Sequence, residues 1–172
     1  MPTATFETLQ EICAEPRPER AFVTEAGEGR LPGTLDVFGH TMTVKISSRD
    51  TGGAFAVVED ATPPLSGPPL HVHHEQDEWW HVLEGNYRFQ VDGREIVAGP
   101  GAHVYAPRGT CHAFQNLGTE PARMVVTVVP GGLDLFFEEI SANARPGVKP
   151  DPAKLAPIFE RHGLSLAGPP LS

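Results

Sequence analysis

Residues 87–98, YRFQVDGREIVA, leave the backbone little choice. Tyr87, Phe89 and Val91 alternate with Arg88, Gln90 and Asp92, a period of two that lines one strand face with apolar side chains and the other with polar ones. Asp92-Gly93 suits the left-handed turn of a tight hairpin, and REIVA resumes the strand beyond it. Comparable short runs recur at 42–47, 54–60, 79–85, 102–107, 111–117 and 122–130. SRDTGG forms a turn between the first two. With 18 Gly and 18 Pro to break the chain, this series of strands predicts an all-β sandwich or small barrel rather than a helical bundle.

The ends differ in character. Phe6, Leu9, Ile12 and Cys13 lie at helical spacing, predicting a short helix over 5–14 that Pro16 and Pro18 end. Leu133, Phe136, Phe137 and Ile140 predict a helix over 133–144. A second is predicted over 151–163, with Asp151 as cap, Pro152 in the first turn and Gly163 as stop. No linker or repeat divides the chain. The expectation is one domain over 1–172, with a barrel core at about 35–130 and a helical extension at about 131–172 that packs outside the barrel or caps one end.

A chain of 172 residues can bury a sizeable core, and its 40% apolar and 20% charged content reads as globular. The net charge of −9, with 13 scattered basic residues, argues against nucleic acid and anionic membrane as partners. The two cysteines, Cys13 and Cys111, suggest no disulfide framework. With neither a leader pattern nor a membrane span, the expected setting is the cytoplasm.

The chemistry concentrates in HVHHEQDEWW, residues 71–80. His71 and His73 are one residue apart, so in a strand both face the same side. Glu78 lies beyond a short turn and can return a carboxylate to that point. His112, in PRGTCHAFQN, is a fourth candidate on another strand. Three imidazoles and a carboxylate suit a divalent transition metal (Fe, Mn, Ni, Co or Zn) better than Mg or Ca. On spacing alone, a polar loop with an incidental His-x-His pattern is an equal alternative.

The wider pattern resembles the cupin superfamily. That family's first motif is His-x-His, three or four residues, Glu, six residues, Gly; here His71, His73, Glu78 and Gly85 stand at those spacings. Its second motif is matched by Gly101, Pro107, Gly109, His112 and Asn116. One departure lies upstream, where the family has a glycine six residues before the first histidine and this chain has Leu65; Gly67 is the nearby substitute for that turn. The resemblance implies a double-stranded β-helix, or jelly-roll barrel, holding one metal per chain through His71, His73, Glu78 and His112.

Neighbouring residues have plainer expected roles. His74 faces away from the pair. Asp77 and Glu75 are solvated charges or partners that orient an imidazole. His81 lies an odd number of positions from Glu78 and faces the opposite side. His40, His103 and His162 are surface or packing residues, and Cys111 turns away from the metal. Trp79 packs between sheets or at an interface. Phe55, Val57, Trp80, Phe89 and Phe114 are the candidates for a substrate pocket.

Within the superfamily the chain resembles the small, single-domain quercetinase-like dioxygenases. That likeness implies a metal-bound enol or phenol oxygen of an aromatic, flavonol-like or β-dicarbonyl-like substrate. Glu78 would be the catalytic group accepting the hydroxyl proton, with O₂ attack and carbon–carbon cleavage following. The alternatives are a metal-dependent isomerase or cyclase without O₂, and a non-catalytic small-molecule-binding cupin. Similar cupins pair as homodimers, which is the expected assembly.

Overall fold

The computed structural model describes residues 21–144 and 152–172; the helix expected over 5–14 lies outside them. Two antiparallel sheets face each other. One has six strands: β1 (Leu35–Val37), β2 (His40–Ile46), β3 (Ala56–Thr62), β10 (Ala122–Val129), β5 (Asp77–Glu84) and β8 (His103–Ala106), in that order across the sheet. The other runs β11 (Leu164–Pro170), β4 (Pro69–His73), β9 (Cys111–Asn116), β6 (Tyr87–Val91), β7 (Arg94–Ala98). This is the expected mostly-β jelly roll.

The opening hairpin forms as read. Tyr87 pairs with Ala98 and Val91 with Arg94, while Asp92 and Gly93 take φ values of 50° and 73°. Tyr87 and Phe89 are both fully buried. Their rings pack with Trp80 and Phe114 into an aromatic core between the sheets. Strand β7 is an edge, and its Ile96 and Val97 are exposed.

The SRDTGG turn contains one helical turn, α1 (Ser48–Thr51), capped by Ser47 and Asp50. Two helices follow β10: α2 (Leu133–Asn143) and α3 (Pro152–Arg161). Asp134, fully buried in the first turn of α2, accepts hydrogen bonds from the Ser47 hydroxyl and the Ser48 amide at 2.8 Å each. That ties α2 to α1, and α2 buries Leu133, Leu135, Phe136, Phe137 and Ile140. Helix α3 lays Phe159 edge-on to Phe136, centroids 4.9 Å apart.

Strand β11 has no counterpart in the sequence reading, which found a helix at 151–163 and no element beyond it. It pairs with β4, placing Leu164 opposite His73 and Leu166 opposite His71. Among the described residues, no helix is long and apolar enough to cross a membrane.

Candidate metal centre

Strand register brings the histidines together. In the β4–β9 ladder His71 sits directly opposite His112, and His73 follows one pleat along β4. Their rings lie with centroids 4.4 to 5.2 Å apart. Glu78 reaches them from β5 of the facing sheet. The set therefore bridges the sandwich, and one ligand atom from each residue lies within 4.8 Å of every other. All four residues are buried.

Each ring is held from behind. His71 Nδ1 is 2.8 Å from the Pro69 carbonyl, His112 Nδ1 2.9 Å from the Thr110 carbonyl, and His73 Nδ1 2.9 Å from Gln76 Oε1. An oxygen of this kind only accepts, so each Nδ1 carries a proton and Nε2 is the nitrogen turned to the common point. The Gln76 amide is itself oriented, since its Nε2 donates to the Gly131 carbonyl at 2.8 Å.

Burial, and then the adjoining His112 and His73 rings, hold His71 down to about 3. Burial lowers His73 too, with the Glu78 carboxylate only partly opposing it. Burial pushes Glu78 up, but the His73 and His112 rings outweigh it and leave the carboxyl at about 2. The site thus holds two weakly basic imidazoles beside an ionised carboxylate.

Glu78 Oε2 lies 2.9 Å from His112 Nε2 and 3.4 Å from His73 Nε2, yet His73 Nε2 makes no hydrogen bond although fully buried. A buried nitrogen left so is costly, and a cation at the common point would satisfy it together with the other donors. The donor set therefore fits a divalent transition metal.

His71, His73 and Glu78 form one side of a cavity of about 540 Å³, including its open mouth. Pro69, Phe114 and Val126 line it from the sheets; Leu133, Phe136, Phe137, Phe159 and Leu164 line it from the C-terminal elements. Of the five expected pocket residues, Phe114 borders the cavity. Trp80 and Phe89 do not; they pack against each other and against Phe114, with Trp80 also edge-on to His112. Phe55 and Val57 require correction. Pairing with β10 turns Ala56, Val58 and Asp60 inward, so Val57 takes the opposite face, half-buried like Phe55, and neither reaches the cavity.

Most neighbours sit as strand alternation required. His74 points outward to the Ser165 hydroxyl, His81 stacks on the exposed His103, and Cys111 flanks the outward Val72. Asp77 accepts hydrogen bonds from the backbone and guanidinium of Arg108, which hold its carboxyl below the usual range. His162 bonds Glu139. His40 is the exception: it is 2% exposed, paired with Asp60, and borders the cavity. Gln76, Asp60 and the aromatic side chains of α2 and α3 also escaped the sequence reading. Only Gln76 left a signal, standing three positions beyond a ligand at the reach of one turn.

Upstream, Leu65 keeps the left-handed turn, with φ of 55° and its side chain exposed. Gly67 serves another need. A Cβ there would lie 1.8 Å from the Phe114 carbonyl oxygen, so the loop passes over β9 only because that position has no side chain.

Comparison with known proteins agrees with this architecture. A quercetin 2,3-dioxygenase of Bacillus subtilis is 27% identical over 135 residues, 77% of this chain and 39% of that protein. A probable oxidoreductase of Hypocrea virens is 35% identical over 78 residues, 44% of this chain and 36% of its own length. The chain thus spans little more than a third of either relative. Among solved structures, KdgF from Halomonas sp. is similar with a TM-score of 0.58 at 17% identity, over 67% of this chain and 98% of that one, a likeness of fold alone. The cupin domain family matches residues 61–128, which hold both histidine motifs and lie within the two-sheet jelly roll.

Proposed function

We propose that this cupin is a metal-dependent dioxygenase acting on an aromatic, flavonol-like or β-dicarbonyl-like small molecule. The observation that carries the reading is the convergence of three Nδ1-anchored imidazoles and one carboxylate on a single point beside a largely apolar cavity. Names of two curated relatives, a quercetin dioxygenase and an oxidoreductase, lend support.

His71, His73, Glu78 and His112 would hold the metal. When bound, it would supply Lewis acidity toward a substrate oxygen and a redox partner for O₂. The chain's own residues prepare the rest. The hydrogen bonds at Pro69, Gln76 and Thr110 keep the imidazoles aimed at the common point. Phe114, Phe136, Phe137 and Phe159 exclude water and offer faces to a flat substrate. Glu78 Oε2 is the atom to receive the proton of a substrate hydroxyl, leaving an electron-rich anion for oxidation.

The test begins with protein purified without added metal or a chelating tag. Metal content is measured by mass spectrometry, and oxygen uptake with a flavonol and with a β-diketone. Near-stoichiometric Fe, Mn, Ni or Co with substrate-dependent uptake is expected. Zinc without uptake would replace the dioxygenase by a Lewis-acid isomerase or cyclase, and failure to load any metal would overturn both.

A further inference from the structure

A second polar group borders the cavity, outside the metal cluster. His40 opens β2 and Asp60 stands on β3, and both line the cavity that His71, His73 and Glu78 also line. His40 Nδ1 lies 3.2 Å from each oxygen of Asp60, and His40 Nε2 lies 3.2 Å from the Ser66 hydroxyl. Asp60 has no solvent exposure at all, and His40 has 2%. Among the described residues, this imidazole is the one hydrogen-bond partner of the Asp60 side chain. A carboxylate has about four acceptor sites, so most of them lack a partner in a buried, apolar setting.

The pair also lies away from the metal ligands along the sheet. Val128 of β10 stands opposite Glu78, and Met124 stands opposite Asp60. Those two backbone levels are four residues apart on β10, or about 13 Å at an ordinary strand rise. Between them lie Val126 and the apolar lining.

Building on the metal-bearing cavity proposed above, we infer that His40 and Asp60 form a second recognition point. It accepts a hydrogen-bond donor, a hydroxyl or phenol, at the end of the substrate remote from the oxygen held at the ligand cluster. The substrate class narrows accordingly to a multi-ring or elongated apolar molecule with an enol or phenol oxygen at one end and a neutral donor at the other.

Two matched ligand pairs test this by anaerobic titration of the metal-loaded full chain, followed by absorbance and tryptophan fluorescence. One pair is 3-hydroxyflavone and its 4′-hydroxy derivative; the other is benzoylacetone and its 4-hydroxyphenyl analogue. In each pair the hydroxylated member is expected to bind about tenfold tighter. The double variant His40→Phe/Asp60→Leu, which leaves no unpaired charge behind, is expected to bring the ratio close to one at unchanged metal content. Asp60→Asn, of the same shape, is the second variant should the double one fail to fold, and it is expected to cut the ratio several-fold.

Equal binding within each pair by the wild-type protein overturns the inference, as does a full preference retained in the variants. Binding of none of the four ligands overturns it as well. Discrimination by metal-loaded protein that takes up no oxygen upholds the inference while removing the dioxygenase reading, and discrimination confined to the diketones removes the flavonol alone.

Discussion

Beside the cavity four polar side chains converge from β4, β5 and β9, three of them lining it; on the α2–α3 side the lining is Leu133, Phe136, Phe137 and Phe159. The polar side is set by ladder hydrogen bonds. His71 faces His112 because β4 and β9 pair there, and a slip of β4 by one residue would turn His71 and His73 outward. The apolar side is set by ring contacts between helices, where residues of similar volume substitute for one another at modest cost. The ligand cluster therefore rests on backbone register and the wall beside it on side-chain packing. One can change without the other.

Removing a ligand should break the polar side outright. His112→Ala is expected to lower metal affinity by more than the 10–100-fold that loss of an outer partner typically costs. The melting temperature should fall with it, since a metal bound only by the folded state stabilises that state. Mass spectrometry and calorimetry on the same sample check both, and normal metal content in this variant would remove His112 from the set.

Phe136→Ala probes the opposite side. Truncating this buried ring is expected to cost about 3–5 kcal/mol in denaturant unfolding while metal stoichiometry stays near wild type. Loss of metal from a variant that is still folded would show that the two sides are not separable. Gln76→Ala sharpens the same question from behind His73. It frees one ring to rotate, and a competitive chelator titration should read a 10–100-fold weaker site with little change in folding.

A smaller effect should appear in acid. In the metal-free protein His71 stays neutral down to about 3, whereas the unfolded chain protonates it near its ordinary 6.5. Between those values the unfolded state binds more protons, so stability is full above about 6.5 and falls as pH drops toward 3. Glu78 acts in the same direction at lower pH, its stabilising contribution being lost as pH falls from 4.5 toward 2. Urea titrations of the chelated protein across that range should show the decline, and a flat profile would contradict the neutral-ring arrangement.

Legibility from the sequence follows the same division. His71, His73 and Glu78 lie within eight positions of one another, and the alternation that aims them also turned His74, His81 and Cys111 away. Local geometry put them on one face, and the longer motif chose between a ligand set and a polar loop. His112 needed the longer motif, because only the fold brings β9 beside β4. Alternation failed at Phe55 and Val57, where the strand's facing is decided by its pairing with β10 rather than by which residues are largest. The cavity's apolar side was invisible for another reason. A helix with Phe136 and Phe137 on its buried stripe looks the same whether it covers a core or walls a cavity. His40 and Asp60, 20 residues apart with no shared motif, meet only because β2 and β3 pair.

The pairing of β11 with β4 has a consequence for biosynthesis. His74, at the end of the ligand strand, and Ser165, which holds its side chain, are 91 residues apart in sequence. On a ribosome the histidine strand emerges first, with its outer edge bare. At translation rates of about 5–20 residues per second, roughly ten seconds pass before the covering strand follows. For that interval the imidazoles sit in an unfinished sheet, open to any metal or any other strand the nascent chain meets.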